Sequence, residues 1–95
     1  MKIKLLSQQV IRQALSMRRA IGLMEEAFAA LTLGKIEAPL RTNLTSANGT
    51  VLYKPAILDV SNMFGVKVVS IFPNNAPRNL PVTTGLMLIN DGETG

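Results

Sequence analysis

Gly65-Val66-Lys67-Val68-Val69-Ser70-Ile71-Phe72-Pro73-Asn74-Asn75 is the stretch that decides the fold of this 95-residue chain. Val66 to Ile71 is rich in β-branched side chains, which suit a pleated strand, while Pro73 lacks a ladder donor and the asparagines favour a turn. The stretch therefore reads as a strand running into a loop. Successive strand residues face opposite sides, which puts Lys67 and Val69 on one face and Val66, Val68 and Ser70 on the other. An ammonium among apolar strand neighbours is costly unless an anion or a water-lined pocket receives it, or unless it reaches water at a sheet edge.

Working outward, the same β pattern recurs on both sides. Upstream, strands are expected at Leu40–Thr45, Thr50–Tyr53 and Ala56–Val60. Ser46-Ala47-Asn48-Gly49 forms the first turn, because Asn48 and Gly49 both tolerate the positive φ of tight hairpins. Ser61-Asn62 separates Ala56–Val60 from Val66–Ile71. Downstream, Pro73 to Pro81 reads as a loop and Thr83–Ile89 as a further strand. Ahead of Pro39 the period changes. Met17, Ala20, Ile21, Met24, Phe28 and Leu31 recur at spacings of three and four, the signature of an amphipathic helix whose stripe packs into a core. Ser16 is its N-cap candidate and Gly34 its stop, since a residue without Cβ accepts the left-handed conformation after a last turn. Ser7 caps a shorter helix from Gln8 to about Leu15, and Ile3–Leu6 reads as a first strand. The fold class expected is α+β, a long and a short N-terminal helix packed on a mainly antiparallel sheet, in one domain.

Composition narrows the function classes. With 47% hydrophobic residues in so short a chain, apolar surface is left over for a second subunit or a neighbouring domain to cover. Ten basic and six acidic residues give a net charge of +4, but no basic run exceeds two residues and only four aromatics are present, so the stacking platforms of a nucleic-acid binder are missing. No nucleic-acid partner is expected. Without cysteine or histidine there is no disulfide, no thiolate chemistry, no imidazole base and no zinc site. The apolar run at the N-terminus is too short for a signal peptide, and none elsewhere is long enough to span a membrane. The default left is a cytoplasmic protein without membrane contact.

No catalytic set can be assembled from these residues. Glu25 and Glu26 are neighbours on a helix and read as solvated surface, Asp59 falls in a strand, and Asp91 precedes Gly92 in a turn signature. No glycine-rich phosphate loop is present. The better candidates are cations. Arg41, just past Pro39, offers a planar two-pronged grip, and Lys67 a compact charge, a combination suited to a carboxylate.

The order Pro39-Leu40-Arg41-Thr42, Lys54-Pro55-Ala56, Gly65-Val66-Lys67-Val68-Val69-Ser70 with Phe72-Pro73-x-Asn75, Leu80-Pro81, Gly85 and Thr94-Gly95 resembles the N-terminal domain of the ornithine cyclodeaminase/mu-crystallin family. Ser16-Met17 and Met24-Glu25-Glu26-Ala27-Phe28 fit it as well, so the likeness covers essentially the whole chain. The resemblance implies a substrate-binding and dimerisation domain that is followed, in the family, by a Rossmann domain holding NAD(H) or NADP(H). It implies that Arg41 and Lys67 help hold the carboxylate of an amino or imino acid, and that the chemistry is hydride exchange at the α-carbon by a cyclodeaminase, amino-acid dehydrogenase or ketimine reductase.

Three positions depart from the family pattern. Lys54 stands where methionine is usual and either adds a cation beside the implied site or faces outward. Asn79 replaces a glycine, which asparagine's tolerance of the left-handed backbone explains. Val82 removes a hydroxyl, for which the neighbouring Thr83 is a possible but oppositely facing substitute. The family's Rossmann domain and catalytic aspartate are absent from residues 1–95. The expectation is therefore a homodimeric module, with no cofactor bound by these residues alone and no activity by themselves. A stand-alone scaffold that keeps the dimer without catalysis is the alternative, and a simple carboxylate binder a second one.

Overall fold

The computed structural model describes the backbone of residues 1–95 and every side chain except that of Val60. Two compact units result, Met1–Leu33 and Gly34–Gly95. The first is helical. Helix α1 spans Gln8–Ala14 and α2 spans Met17–Thr32. The Ser7 hydroxyl accepts the Val10 N–H at 3.2 Å, and the Ser16 hydroxyl accepts the Arg19 N–H at 3.1 Å. Each satisfies one of the donors that a helix start leaves free. At the far end Leu33 N–H reaches the Ala29 carbonyl, and Gly34 turns left-handed at φ 73°. Ile3–Leu6, expected as a strand, has no strand geometry. A short apolar run holds β geometry only against a partner, and every ladder of this structure lies between residues 36 and 91.

The second unit is one antiparallel sheet, so the α+β class expected from the sequence is the class observed. Its strands are β1 Ile36–Glu37, β2 Thr42–Thr45, β3 Thr50–Leu58, β4 Met63–Ile71 and β5 Thr83–Asp91. The order is β1-β3-β4-β5, with β2 also on β3. β1 and β2 thus share one edge of β3. Their registers differ by one residue: Glu37 pairs with Ile57, whereas Thr42 pairs with Tyr53. Four residues, Ala38 to Arg41, therefore oppose three, Lys54 to Ala56, which is the geometry of a bulge.

That break explains a strand the sequence splits in two. Thr50–Tyr53 and Ala56–Val60 are one continuous strand through Lys54-Pro55, ending at Leu58. A proline is tolerated inside a sheet where the ladder on one side is already interrupted, and the break between β1 and β2 lies opposite Pro55. Leu40–Thr45 is shorter than expected for the same reason, beginning at Thr42. Asp59 is likewise not in a strand. It opens a 3-10 turn, Asp59–Ser61, closed by Asn62 at φ 50°.

The first hairpin forms where expected, but by a different turn. Neither Asn48 nor Gly49 has positive φ. Ser46 holds the turn instead: its N–H donates to the Gly49 carbonyl at 2.9 Å, and its hydroxyl accepts the Asn48 N–H at 3.3 Å. Glycine is required at 49 for space. A Cβ there would lie 2.5 Å from the Ile71 carbonyl oxygen and 2.8 Å from the Phe72 ring.

The connection from β4 to β5 contains a 3-10 helix, Pro73–Arg78, that the sequence reading leaves as loop. Asn75 ties it down, its amide donating to the Pro81 carbonyl at 3.0 Å while its own carbonyl accepts the Leu80 N–H at 3.2 Å. Asn79 closes the helix at φ 55°, the left-handed role read for it from the sequence.

Burial departs furthest from expectation. Among the described residues none is buried. The stripe of α2, read as core, is exposed apart from half-buried Ala20, with Phe28 at 67%. Neither α1 nor α2 buries a residue of its own. In the sheet unit both faces carry apolar rows. Phe64, Val66 and Val68 stand on one face, Met63, Val69 and Ile71 on the other, and the edge strand β5 exposes Leu86 through Ile89.

Candidate functional site

Register decides which side chains can act together. In an antiparallel pair, residues directly opposite share a face with Cβ atoms about 4.5–5.5 Å apart. Lys54 is the partner of Lys67, and Lys67 in turn is the partner of Met87. Arg41 precedes the Thr42–Tyr53 pair and lies in the bulge, with no ladder partner of its own. Two of the four residues singled out from the sequence, Lys54 and Lys67, thus stand side by side in one lateral row, with Arg41 in the bulge along the same edge of β3. Lys54 is half-buried, while Arg41 and Lys67 are exposed.

Each member has its own cause of placement. Lys67 is fixed by the alternation of β4, whose β-branched residues specify which face is which. Lys54 is held mid-strand because β3 runs unbroken through Pro55. Arg41 is one of the four unpaired residues between β1 and β2, so the ladders do not fix which face it presents. Thr83 is not brought to this row. It pairs with Ile71, four residues along β5 from Met87, or about 13 Å of strand. Val82 lies outside β5, and its carbonyl accepts the Phe72 N–H at 2.8 Å.

Electrostatically the row lacks partners within its own unit. Glu37 pairs with Ile57 and so lies on the opposite face from Lys54. Asp59 and Glu93 sit in turns at the sheet end, and Asp91 is four residues beyond Met87. Asp91 has a structural task instead. One carboxylate oxygen accepts the Thr94 N–H at 2.8 Å, the Thr94 hydroxyl at 2.9 Å and the Glu93 N–H at 3.1 Å. The Thr94 backbone bond, then its hydroxyl, then the Glu93 N–H hold the carboxyl below its ordinary 3.8 by favouring the charged form.

A shallow cavity of about 370 Å³ opens on the other face of the sheet. Glu37, Pro55, Phe64, Val66 and Asn90 line it, and none of the three cations does. It is an apolar depression and does not belong to the cation row. Sequence reasoning missed it because the pairing of Phe64 with Asn90 is visible only once register is known. Among the described residues no three His, Cys, Asp or Glu side chains come together as a metal site. No helix is long and apolar enough to cross a membrane. Nor do residues 1–95 fit a dinucleotide: every ladder is antiparallel, and no strand leads through a glycine-rich turn into a helix.

Comparison with known proteins accounts for the whole stretch. Residues 1–95 match the ornithine cyclodeaminase/mu-crystallin family. Alanine dehydrogenase of Archaeoglobus fulgidus is 34% identical over 95 residues, all of this chain and 29% of the relative. A solved archaeal alanine dehydrogenase dimer with bound NAD superposes with a TM-score of 0.85 at 34% identity, over 93% of this chain and 27% of that one. The Δ1-pyrroline-2-carboxylate reductase of Thermococcus litoralis, solved with NADH and L-proline, gives 0.80 at 41% identity, over 85% of this chain and 26% of that one. The chain thus spans under a third of the length of these relatives.

Proposed function

This chain belongs to the ornithine cyclodeaminase/mu-crystallin family, and from that premise we propose that residues 1–95 are the N-terminal substrate-binding and dimerisation module of an NAD(P)-dependent enzyme acting on amino or imino acids. The observation that carries the reading is the direct pairing of Lys54 with Lys67 on one sheet face, with Arg41 in the bulge along β3 and no acid paired with either lysine. Arg41 and Lys67 bind the substrate carboxylate. A guanidinium fork fixes the plane of the carboxylate and the ammonium supplies a second charge-assisted hydrogen bond. Both orient the α-carbon for reaction. Neither carries out the chemistry, for which these residues supply no general base.

The names of the relatives support the substrate class, since alanine and pyrroline-2-carboxylate both present a carboxylate beside the carbon that carries or receives nitrogen. When bound in such enzymes, a nicotinamide supplies or accepts hydride at that carbon. Uncovered apolar rows on both sheet faces support the dimerisation half of the reading, since exposed apolar surface on this scale marks an interface. The same rows would serve the alternative, a scaffold that dimerises without catalysis.

The test is calorimetric titration of the polypeptide that carries these residues with L-alanine, L-proline, L-ornithine and pyruvate, before and after Lys67→Ala. Binding that is lost in the variant is expected. Failure of the unaltered protein to bind any of the four refutes the carboxylate site. A monodisperse monomer in light scattering at tens of micromolar refutes the dimer, and turnover of an amino acid with NAD by residues 1–95 alone refutes the assignment of catalysis elsewhere.

A further inference from the structure

We infer that Lys54 is a further ligand of the substrate carboxylate, a single carboxylate that bridges Lys54 and Lys67 across the β3–β4 ladder. The inference rests on the carboxylate site proposed above and adds a residue to it. Its ground is the direct pairing of two cations. Lys54 and Lys67 are ladder partners, so they share a sheet face with Cβ atoms about 4.5–5.5 Å apart. Like charges directly opposite each other destabilise a sheet. Nothing beside them in the sheet unit offsets the charge. Beyond Lys67 the row continues to Met87, and beside Lys54 the edge holds the four unpaired residues Ala38 to Arg41, none of them acidic. The neighbours before and after them on the same face, Leu52, Ala56, Gly65 and Val69, are uncharged. Asp91 shares that face but stands four residues along β5 from Met87, engaged with Glu93 and Thr94.

Such a pair has the form of a clamp. A carboxylate has two oxygens, and each accepts a charge-assisted hydrogen bond of about 2.7–2.9 Å, one from each ammonium. One anion between the two lysines therefore turns their repulsion into two attractions. Two separate anions would not serve as well, because at so short a spacing they repel each other as the lysines do. A carboxylate offers about four lone-pair sites, so Lys54 adds to Lys67 and Arg41 and displaces neither. Lys54 is also the half-buried member of the pair, so an ion pair formed there is less screened by water than one at exposed Lys67. β3 holds it in place, since the strand runs unbroken from Thr50 to Leu58 and its nine-residue ladder with β4 sets the register. The free sheet thus carries a repulsion that the ligand relieves, stability given up for an anion site.

The test is calorimetric titration at fixed ionic strength with L-alanine and propionate, set against inorganic phosphate and propionamide, which keeps the shape of propionate without its charge. The proteins are the polypeptide carrying these residues and its Lys54→Met, Lys54→Arg, Lys67→Ala and Lys35→Met variants. Methionine keeps the length of the lysine stem without its charge, and Lys35→Met removes the same charge from an exposed position outside the row. Circular dichroism confirms that each variant is folded. Both carboxylates are expected to bind about tenfold more weakly to Lys54→Met, the effect of losing one hydrogen bond to a charged group. Lys54→Arg should keep the affinity, and Lys35→Met should leave it unchanged. Propionate should also raise Tm more in the unaltered protein than in Lys54→Met, because tighter binding to the folded state stabilises it more. Undiminished binding by Lys54→Met, a loss as large in Lys54→Arg or Lys35→Met, or phosphate or propionamide binding as tight as propionate would each overturn the inference. In those cases loss of L-alanine binding in Lys67→Ala would leave the carboxylate site standing. If no carboxylate binds the unaltered protein, both readings fall.

Discussion

Replacing Gly49 by alanine tests the turn geometry on which the β2–β3 hairpin and its junction with β4 depend. Because Gly49 does not have positive φ, alanine meets no backbone penalty there and would by itself stabilise by about 0.4–1 kcal/mol through the unfolded chain. Sterics oppose this. The new Cβ would stand 2.5 Å from the Ile71 carbonyl oxygen and 2.8 Å from two atoms of the Phe72 ring. The ring can rotate, but the carbonyl belongs to the last rung of the β3–β4 ladder, where Thr50 pairs with Ile71. Relief therefore requires β3 and β4 to part at that rung. Overpacking of this kind costs about 1–3 kcal/mol, so the net loss is about 1–2 kcal/mol. In a chain of this size it appears as a fall in Tm of roughly 5–15 °C. Melting curves by far-UV circular dichroism, at equal protein concentration, provide the measurement. Asn48→Ala is the control, expected to move stability by less than about 0.5 kcal/mol because residue 48 needs no left-handed backbone. A Gly49→Ala protein that melts at or above the unaltered one refutes the steric argument, and a large loss in Asn48→Ala restores the positive-φ reading of the turn.

Other expectations follow from the same geometry. Asn79→Gly should leave stability within about 0.5 kcal/mol while Asn79→Ala costs about 1–2 kcal/mol, because φ 55° penalises any residue with a Cβ that lacks asparagine's local hydrogen bonds; chemical denaturation of the pair checks it. Lys54→Met should raise Tm at low salt and lose that advantage as salt rises, since the repulsion it removes acts across about 5 Å, inside the Debye length of about 10 Å at 0.1 M. Asp91 contributes through its ionised form: its folded pKa is below the unfolded one, so the contribution is full above about pH 4, falls as pH drops through the folded value, and is absent in Asp91→Asn. An NMR titration of the carboxyl, with Thr94→Ala moving its pKa back up, is the check.

Much of the architecture was legible because it rests on local rules. Ser7 and Ser16 announce helix starts, Gly34 a helix end, and the alternation around Lys67 a strand, each through a contact made within a few residues. The errors share a cause as well. Ile3–Leu6 has the composition of a strand but no partner, and Pro55 breaks strands in general but not one whose ladder is already open on that side. Asn48-Gly49 marks a hairpin correctly for the wrong reason, because the demand on Gly49 comes from the Ile71 carbonyl, a group distant in sequence. The cations were visible singly. That Lys54 and Lys67 stand opposite each other follows only from the register, which the nine-residue β3–β4 ladder sets.

Three of the four ladders join consecutive strands, and only the two-residue pairing of β1 with β3 skips a neighbour. Such a sheet grows from local hairpins, so little loop-closure entropy stands between the nascent chain and its paired state, and folding should be fast for a β-rich unit. Speed has a counterpart in exposure. β5, at one edge of the sheet formed by these residues, carries Leu86-Met87-Leu88-Ile89 without a charge or a proline to blunt it. Left uncovered, such an edge is a template for self-association. Dilute expression, or a single lysine placed on the outer side of β5, should therefore raise the yield of soluble protein more than any change that strengthens the hairpins.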